Sequence, residues 1–92
     1  MLLRRIHIDQ THWFSVFHSE QTGDYVLQAT LREEGWPNIA IRLTADEIAM
    51  FRDRQTDFIR FAKEFIASHD SPVFRPRKIS VHSTGRGLIE TD

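Results

Sequence analysis

The sequence contains no cysteine, and this absence excludes several kinds of chemistry. Disulfide bonds, thiolate nucleophiles and cysteine-ligated zinc sites all need a thiol group. Secreted domains of this size usually carry disulfides, so the composition favours a reducing compartment. The N-terminal segment MLLRRIHIDQ has too short an apolar run for a signal peptide, and no run approaches the roughly 20 residues of a membrane span. We therefore expect a cytoplasmic protein with no membrane association.

Glycine and proline are also scarce, with four and three residues, so the chain has few natural breaks. Its length is typical of one domain, and we expect residues 1–92 to form a single core. Seven phenylalanines, two tryptophans and one tyrosine supply that core, because a buried aromatic side chain removes roughly 150–250 Å² from water. The net charge of −1 does not by itself indicate a polyanionic partner.

The first half of the chain is predicted to form four strands. Apolar and polar residues alternate, as in strands with one buried face, in residues 2–8, 13–18, 25–32 and 39–43. Aromatic residues on both faces of the second segment indicate a strand that is covered on both sides or lies at an interface. Gly23 and the Gly35–Pro37 segment supply turns that join the later strands into hairpins.

A helix is predicted to follow the fourth strand. Thr44 and Glu47 form a capping box, in which each side chain accepts a hydrogen bond from the other residue's backbone N–H. Apolar residues then recur at three- and four-residue spacing as far as residue 67 or 68, which predicts one long amphipathic helix. Gln55 falls inside the apolar stripe, whereas Met50 and Phe61 lie on its flank.

The last part of the chain is predicted to add one strand and a tail. Ile79 and Val81 have strand spacing. Residues 83–92, which include two glycines, are expected to form a flexible tail in which Leu88 and Ile89 are the candidates for order. The element order is therefore β-β-β-β-α-β. We expect an α+β fold, in which a curved antiparallel sheet packs against the helix. This order resembles that of small curved-sheet domains that bind single-stranded nucleic acid, whereas Sm-like barrels place their helix first.

No pattern of residues indicates an enzyme. The histidines form neither a His-x-His pair nor a helical i, i+4 pair of the kind that binds zinc. His69, Asp70 and Ser71 are consecutive, whereas catalytic triads are assembled from distant segments. Gly85–Gly87 lacks the preceding strand and following helix of a phosphate loop. We expect no catalytic residue, no metal site and no cofactor.

The first functional hypothesis is a non-enzymatic interaction module that binds a protein partner and self-associates. Trp36 lies at a predicted hairpin tip, and tryptophan is enriched at the energetic centres of protein interfaces. It could equally fold back over the edge of the sheet. Met50 and Phe61 would be covered in a homo-oligomer or, alternatively, by an edge strand of the same chain.

The alternative hypothesis is a small nucleic-acid-binding domain. Residues 71–92 are locally basic, and Phe74 lies beside a cluster of cations that could contact phosphates while the ring stacks on a base. The predicted contact residues are Arg4, Arg5, Phe74, Arg75, Arg77 and Lys78. An edge strand protected from aggregation by charge and proline would explain the same C-terminal residues.

Overall fold

A computed structural model describes residues 2–91 and shows the predicted α+β class with an antiparallel sheet. Residues 2–91 contain six strands, two helices and one 3₁₀ turn at Arg75–Arg77. The elements in chain order are β1 (Leu2–Asp9), β2 (Phe14–His18), β3 (Tyr25–Thr30), β4 (Asn38–Arg42), α1 (Ala45–Asp53), α2 (Gln55–Ala67), β5 (Ser80–Thr84) and β6 (Gly87–Thr91).

The six strands form one curved sheet in the order β4-β3-β2-β1-β6-β5. β1 to β4 are a meander of neighbouring antiparallel strands, and the C-terminal hairpin extends the sheet on the side of β1. The sheet curls until its two edges meet. Ile41 of β4 forms an isolated bridge with Lys78, and the N–H of Ile79 donates to the carbonyl of Ala40 at 2.9 Å. One end of the sheet is thereby closed.

The C-terminal hairpin differs from the predicted single strand and flexible tail. Residues 87–91 form β6, which pairs with Leu2 and Leu3, and Leu88 is buried. Gly87 makes this pairing possible, because a Cβ there would overlap the carbonyl oxygen of Leu3 and its φ is +147°. The amino-acid composition could not show that Gly87 allows the close approach of β6 to β1. Asp92, the last residue of the predicted tail, lies outside the described residues.

The prediction of one continuous helix is wrong, because the helix is interrupted at Arg54. This residue has φ −139° and ψ 72°, and its N–H ends α1 by donating to the carbonyl of Met50. A straight helix would place Gln55 in the apolar stripe, whereas the break leaves it exposed. Phe51 and Phe58 still meet across the break, with ring centroids 5.1 Å apart. The capping box of Thr44 and Glu47 is confirmed.

Two apolar clusters lie on opposite faces of the sheet. The helices cover one face, where side chains such as Val16, Leu27 and Phe65 are fully buried. The curl of the sheet encloses the other cluster, which consists of Leu3, Phe17, Val26, Ala40 and Leu88. Strand β2 contributes to both clusters, so its aromatic residues are covered on both sides within one chain.

Candidate ligand-binding groove

The concave face of the sheet is filled at its closed end and open at the other. Ser15 and Gln28 are paired neighbours that lie two residues along their strands from the buried Phe17 and Val26, on the same face. At the open end this face forms a depression of about 320 Å³. It is lined by Arg5, Ile8, Asp9, Gln10, Trp13, Phe14, Ser15, Gln28 and Thr30. We call this depression the groove.

Both tryptophans of the chain stack on each other beside the groove. The rings of Trp13 and Trp36 are nearly parallel, with an interplanar angle of 13° and centroids 5.5 Å apart. They remain 40% and 54% exposed. The guanidinium of Arg32 lies 5.1 Å from the centroid of Trp13, a distance suited to a cation–π interaction. The result is a stacked aromatic surface in contact with solvent, which we call the tryptophan pair.

Each tryptophan has a backbone conformation that is uncommon for a residue with a side chain. The φ angles are +65° at Trp13 and +48° at Trp36. The left-handed region is disfavoured for such residues, and strained residues cluster at ligand-binding sites. The two residues come from separate loops, and their rings stack on each other. The positive φ angles of both loops therefore place the two rings together.

Asp9 fixes the loop that carries Trp13. Its carboxylate accepts hydrogen bonds from the backbone N–H and the ring of His12 at 2.8 and 2.9 Å. Its carbonyl accepts from the N–H of Trp13, and the carbonyl of Trp13 accepts from Thr30 on β3. Burial raises the pKa of Asp9, but the hydrogen bonds and charge of His12 outweigh this, and the pKa lies below its ordinary value.

The loop that carries Trp36 is fixed by its own backbone. The N–H of Trp36 donates to the carbonyl of Glu33 at 2.9 Å. The N–H of Leu31 donates to the carbonyl of Pro37 at 2.8 Å. Gly35 precedes Trp36 with φ +85°, so two consecutive residues turn in the left-handed region. Leu31 is buried, which anchors the base of the loop. The predicted hairpin-tip tryptophan therefore stacks on the neighbouring loop and stays exposed.

A basic depression of about 470 Å³ adjoins the groove. Arg4, Arg5 and Arg86 line it together with the turn of the C-terminal hairpin, and Arg5 lines the groove as well. Glu20 lies 3.8 Å from Arg4, but both side chains are exposed, and such pairs contribute little. This face therefore carries local positive charge on a chain whose net charge is −1. We call these three residues the arginine cluster.

The predicted C-terminal basic residues occupy different positions from the arginine cluster. Phe74 is buried in the core against Phe61 and Phe65. Arg77 donates to both carboxylate oxygens of Glu47 and to the carbonyl of Arg42, so it fastens the 3₁₀ turn to α1 and β4.

The two basic residues near Arg77, Lys78 and Arg75, differ in their contacts. Lys78 contacts Asp70 and His69 at 2.9 and 2.8 Å, and its hydrogen bond to Asp70 lowers the pKa of that carboxyl group. Arg75 is exposed. Of the six predicted contact residues, Arg4 and Arg5 line the basic depression, whereas Phe74, Arg77 and Lys78 have structural contacts.

Met50 and Phe61 are partly buried against the core that the helices cover. The ring of Phe61 contacts those of Phe58 and Phe74, with centroids 5.9 and 6.0 Å apart. The structure thus shows intramolecular packing for both side chains. It does not bring them together with Trp36 in one cluster.

Trp13 and Arg86 line the two depressions but are not among the site residues predicted from the sequence. Trp13 continues an alternating segment, which predicts a strand, although the polar residues 10–12 before it indicate a loop. Arg86 lies in the predicted tail. Only the pairing of β6 with β1 brings Arg86 to Arg4 and Arg5.

The described part of the chain holds no group of three or more His, Asp or Glu side chains that could bind a metal ion. Neither α1 nor α2 combines the length and apolar character that crossing a membrane requires. Comparison of the chain with protein-family models, with curated proteins and with solved structures finds no match.

Proposed function

We propose that this protein is a non-enzymatic interaction module that binds a protein partner at the groove. The observation that carries the proposal is the tryptophan pair. Two half-exposed rings are held in one place by two strained loops, and tryptophan is among the residues that contribute most binding energy at interfaces. Rigid aromatic side chains also lose little conformational entropy on binding.

The surroundings of the tryptophan pair support an interface with an apolar centre and a polar rim. Ile8 is 49% exposed and shares the groove with Trp13. Ser15 and Gln28 place a hydroxyl and an amide group at the groove, where they can hydrogen-bond to a partner. The hydroxyl of Thr30, which donates to the side-chain oxygen of Asn38, can still accept.

The proposal is tested by quantitative affinity capture with the single variants Trp13→Ala and Trp36→Ala. Val73→Ala is the matched control, because Val73 is 68% exposed and does not line the groove. Proteins captured by the wild type and the control should be lost with both tryptophan variants, while circular dichroism shows an unchanged fold. Equal capture by all four proteins would contradict the proposal.

Self-association and a cytoplasmic location remain part of this proposal. The absence of cysteine supports the location, and Trp36 offers a surface for a second copy. Sedimentation velocity over a wide concentration range should show a reversible dimer that Trp36→Ala weakens. A monomer at every concentration would remove self-association from the proposal and leave binding of a different protein.

A second candidate function is binding of single-stranded nucleic acid, and the arginine cluster is the observation that favours it. Three arginines beside two exposed tryptophans combine phosphate contacts with a stacking surface. Fluorescence anisotropy of a labelled oligonucleotide should then show binding that weakens with salt, with a slope that falls by roughly 0.7 per lost phosphate contact. Arg86→Ala should reduce the slope, whereas Arg60→Ala, on the exposed face of α2, should not. Absence of binding at low salt would exclude this function.

A further inference from the structure

We propose that the second half of β1 is an open sheet edge that accepts an extended acidic segment of the partner by strand addition. The inference rests on the proposed protein-binding function and names the chemistry of the partner. In strand addition, main-chain hydrogen bonds supply affinity and alternate side chains supply specificity.

The edge is open because β6 is too short to cover β1. The two strands pair only through Leu2 and Leu3, and the hairpin turns away at Gly87. β2 pairs with the other side of β1 as far as Asp9. In the part of the chain that the structure describes, no other strand pairs with residues 5–9 on the side that β6 leaves free.

Two apolar side chains along this edge are exposed. Ile6 and Ile8 are 48% and 49% exposed, although isoleucine is among the residues most often buried in proteins. Ile8 also lines the groove, so the edge is continuous with the tryptophan pair. An added strand would cover both isoleucines and reach Trp13 at the end of β1.

The charge around the edge selects for acidic side chains. The arginine cluster lies beside the edge, and one of its members, Arg5, is itself a residue of the edge. Asp9 also lies on β1, but its carboxylate is engaged by His12. Arg5 and Ile8 both line the groove, so they lie on the same face of β1. The side chains of an added segment that face the groove would therefore be acidic near the arginine cluster and apolar near Ile8.

The same features disfavour the other occupants. A second copy of β1 has no free carboxylate to offer the arginine cluster, because Asp9, the one acidic residue of β1, is engaged by His12. Nucleic acid could use the arginines, but it has no extended peptide backbone with which to pair along a strand edge. The observations therefore favour an acidic peptide segment.

Selection from a random peptide library displayed on yeast tests this inference. The wild-type protein should enrich extended peptides that carry Asp or Glu together with apolar residues. The double variant Ile6→Ser/Ile8→Ser and the single variant Arg5→Glu should bind the enriched peptides at least about tenfold more weakly, because the first removes apolar contact and the second reverses a charge. The control Val73→Ser, at an exposed apolar position outside the edge, should bind them as the wild type does. Enrichment of basic or helix-patterned peptides, or of none, would overturn the inference.

Hydrogen exchange with an enriched peptide provides a second measurement that does not depend on the variants. Those amides of residues 5–9 that face the free side of β1, away from β2, should become protected when the peptide binds. Protection confined to other strands would overturn strand addition. If no peptide binds but a labelled oligonucleotide binds in an Arg5-dependent manner, the arginines bind nucleic acid and the inference is wrong.

Failure of this inference is distinguishable from failure of the proposed function. Capture of a partner that depends on Trp13 and Trp36, together with an absence of peptide enrichment, would overturn strand addition alone. Capture that is insensitive to the tryptophans would overturn the proposed function, whatever the peptide selection shows.

Discussion

At the scale of single residues, Gly87 allows the C-terminal hairpin to join the sheet. Replacing it by Ala should lower the free energy of unfolding by about 2 kcal/mol or more, because the Cβ overlaps the Leu3 carbonyl and the φ of +147° disfavours a side chain. Urea denaturation measures the difference. The control is Gly85→Ala in the same turn, where a Cβ meets no atom within 4 Å. Equal stability of the two variants would contradict the described pairing of β6 with β1.

Asp9 should make the stability of the domain depend on pH. Its pKa in the folded state is lowered, so the ionised form stabilises the fold above the unfolded pKa of about 3.9, and this contribution is lost as pH falls through the folded pKa. Asp9→Asn should be less stable than the wild type at neutral pH. The difference should shrink in acid, as measured by urea denaturation across the pH series. A difference that is constant with pH would show that the charge of Asp9 has no role.

Local residue roles could be predicted from sequence, whereas long-range ones could not. Thr44 and Glu47 are three residues apart, so their capping box could be predicted from the local sequence. Trp13 and Trp36 lie on different loops, and their stacking depends on the register of the sheet. Local patterns contain no information about such a contact.

At the scale of elements, Arg77 joins the 3₁₀ turn to α1. Arg77→Ala should lower the free energy of unfolding by about 1–3 kcal/mol, because it leaves the mostly buried Glu47 carboxylate without its bidentate partner. Arg75→Ala is the matched control in the same turn and should change stability by no more than about 0.5 kcal/mol, because Arg75 is exposed. Thermal or urea unfolding of both variants measures this. If Arg75→Ala were the more destabilising change, the structural role given to Arg77 would be wrong.

The elements were predictable where the sequence alternates or repeats regularly. β1 to β4 and the start of α1 follow directly from such patterns. The break at Arg54 was not predictable, since residues 45–67 contain neither Gly nor Pro, and only the polar Gln55 inside the apolar stripe hinted at it. β6 was missed because glycines usually indicate mobility, whereas Gly87 permits close strand contact.

At the scale of the whole molecule, curvature creates the candidate site. Closure of the sheet between Ala40 and Ile79 buries one half of the concave face and leaves the other half as the groove. The sequence predicted a curved sheet but not its strand order, in which β6 lies beside β1. Local sequence patterns do not specify which distant strands pair. That order brings the arginine cluster together and leaves the edge of β1 open.

Site-specific photo-crosslinking tests most directly whether the groove is the partner-binding surface. Ile8 is replaced by the photo-reactive residue p-benzoylphenylalanine, since it is half-exposed and lines the groove, and Arg60 on α2 is replaced in a control protein. We predict a discrete cross-linked protein from the Ile8 position that Trp36→Ala abolishes, and none from the Arg60 position. Cross-links from Arg60 alone, or from both positions without dependence on Trp36, would contradict binding at the groove.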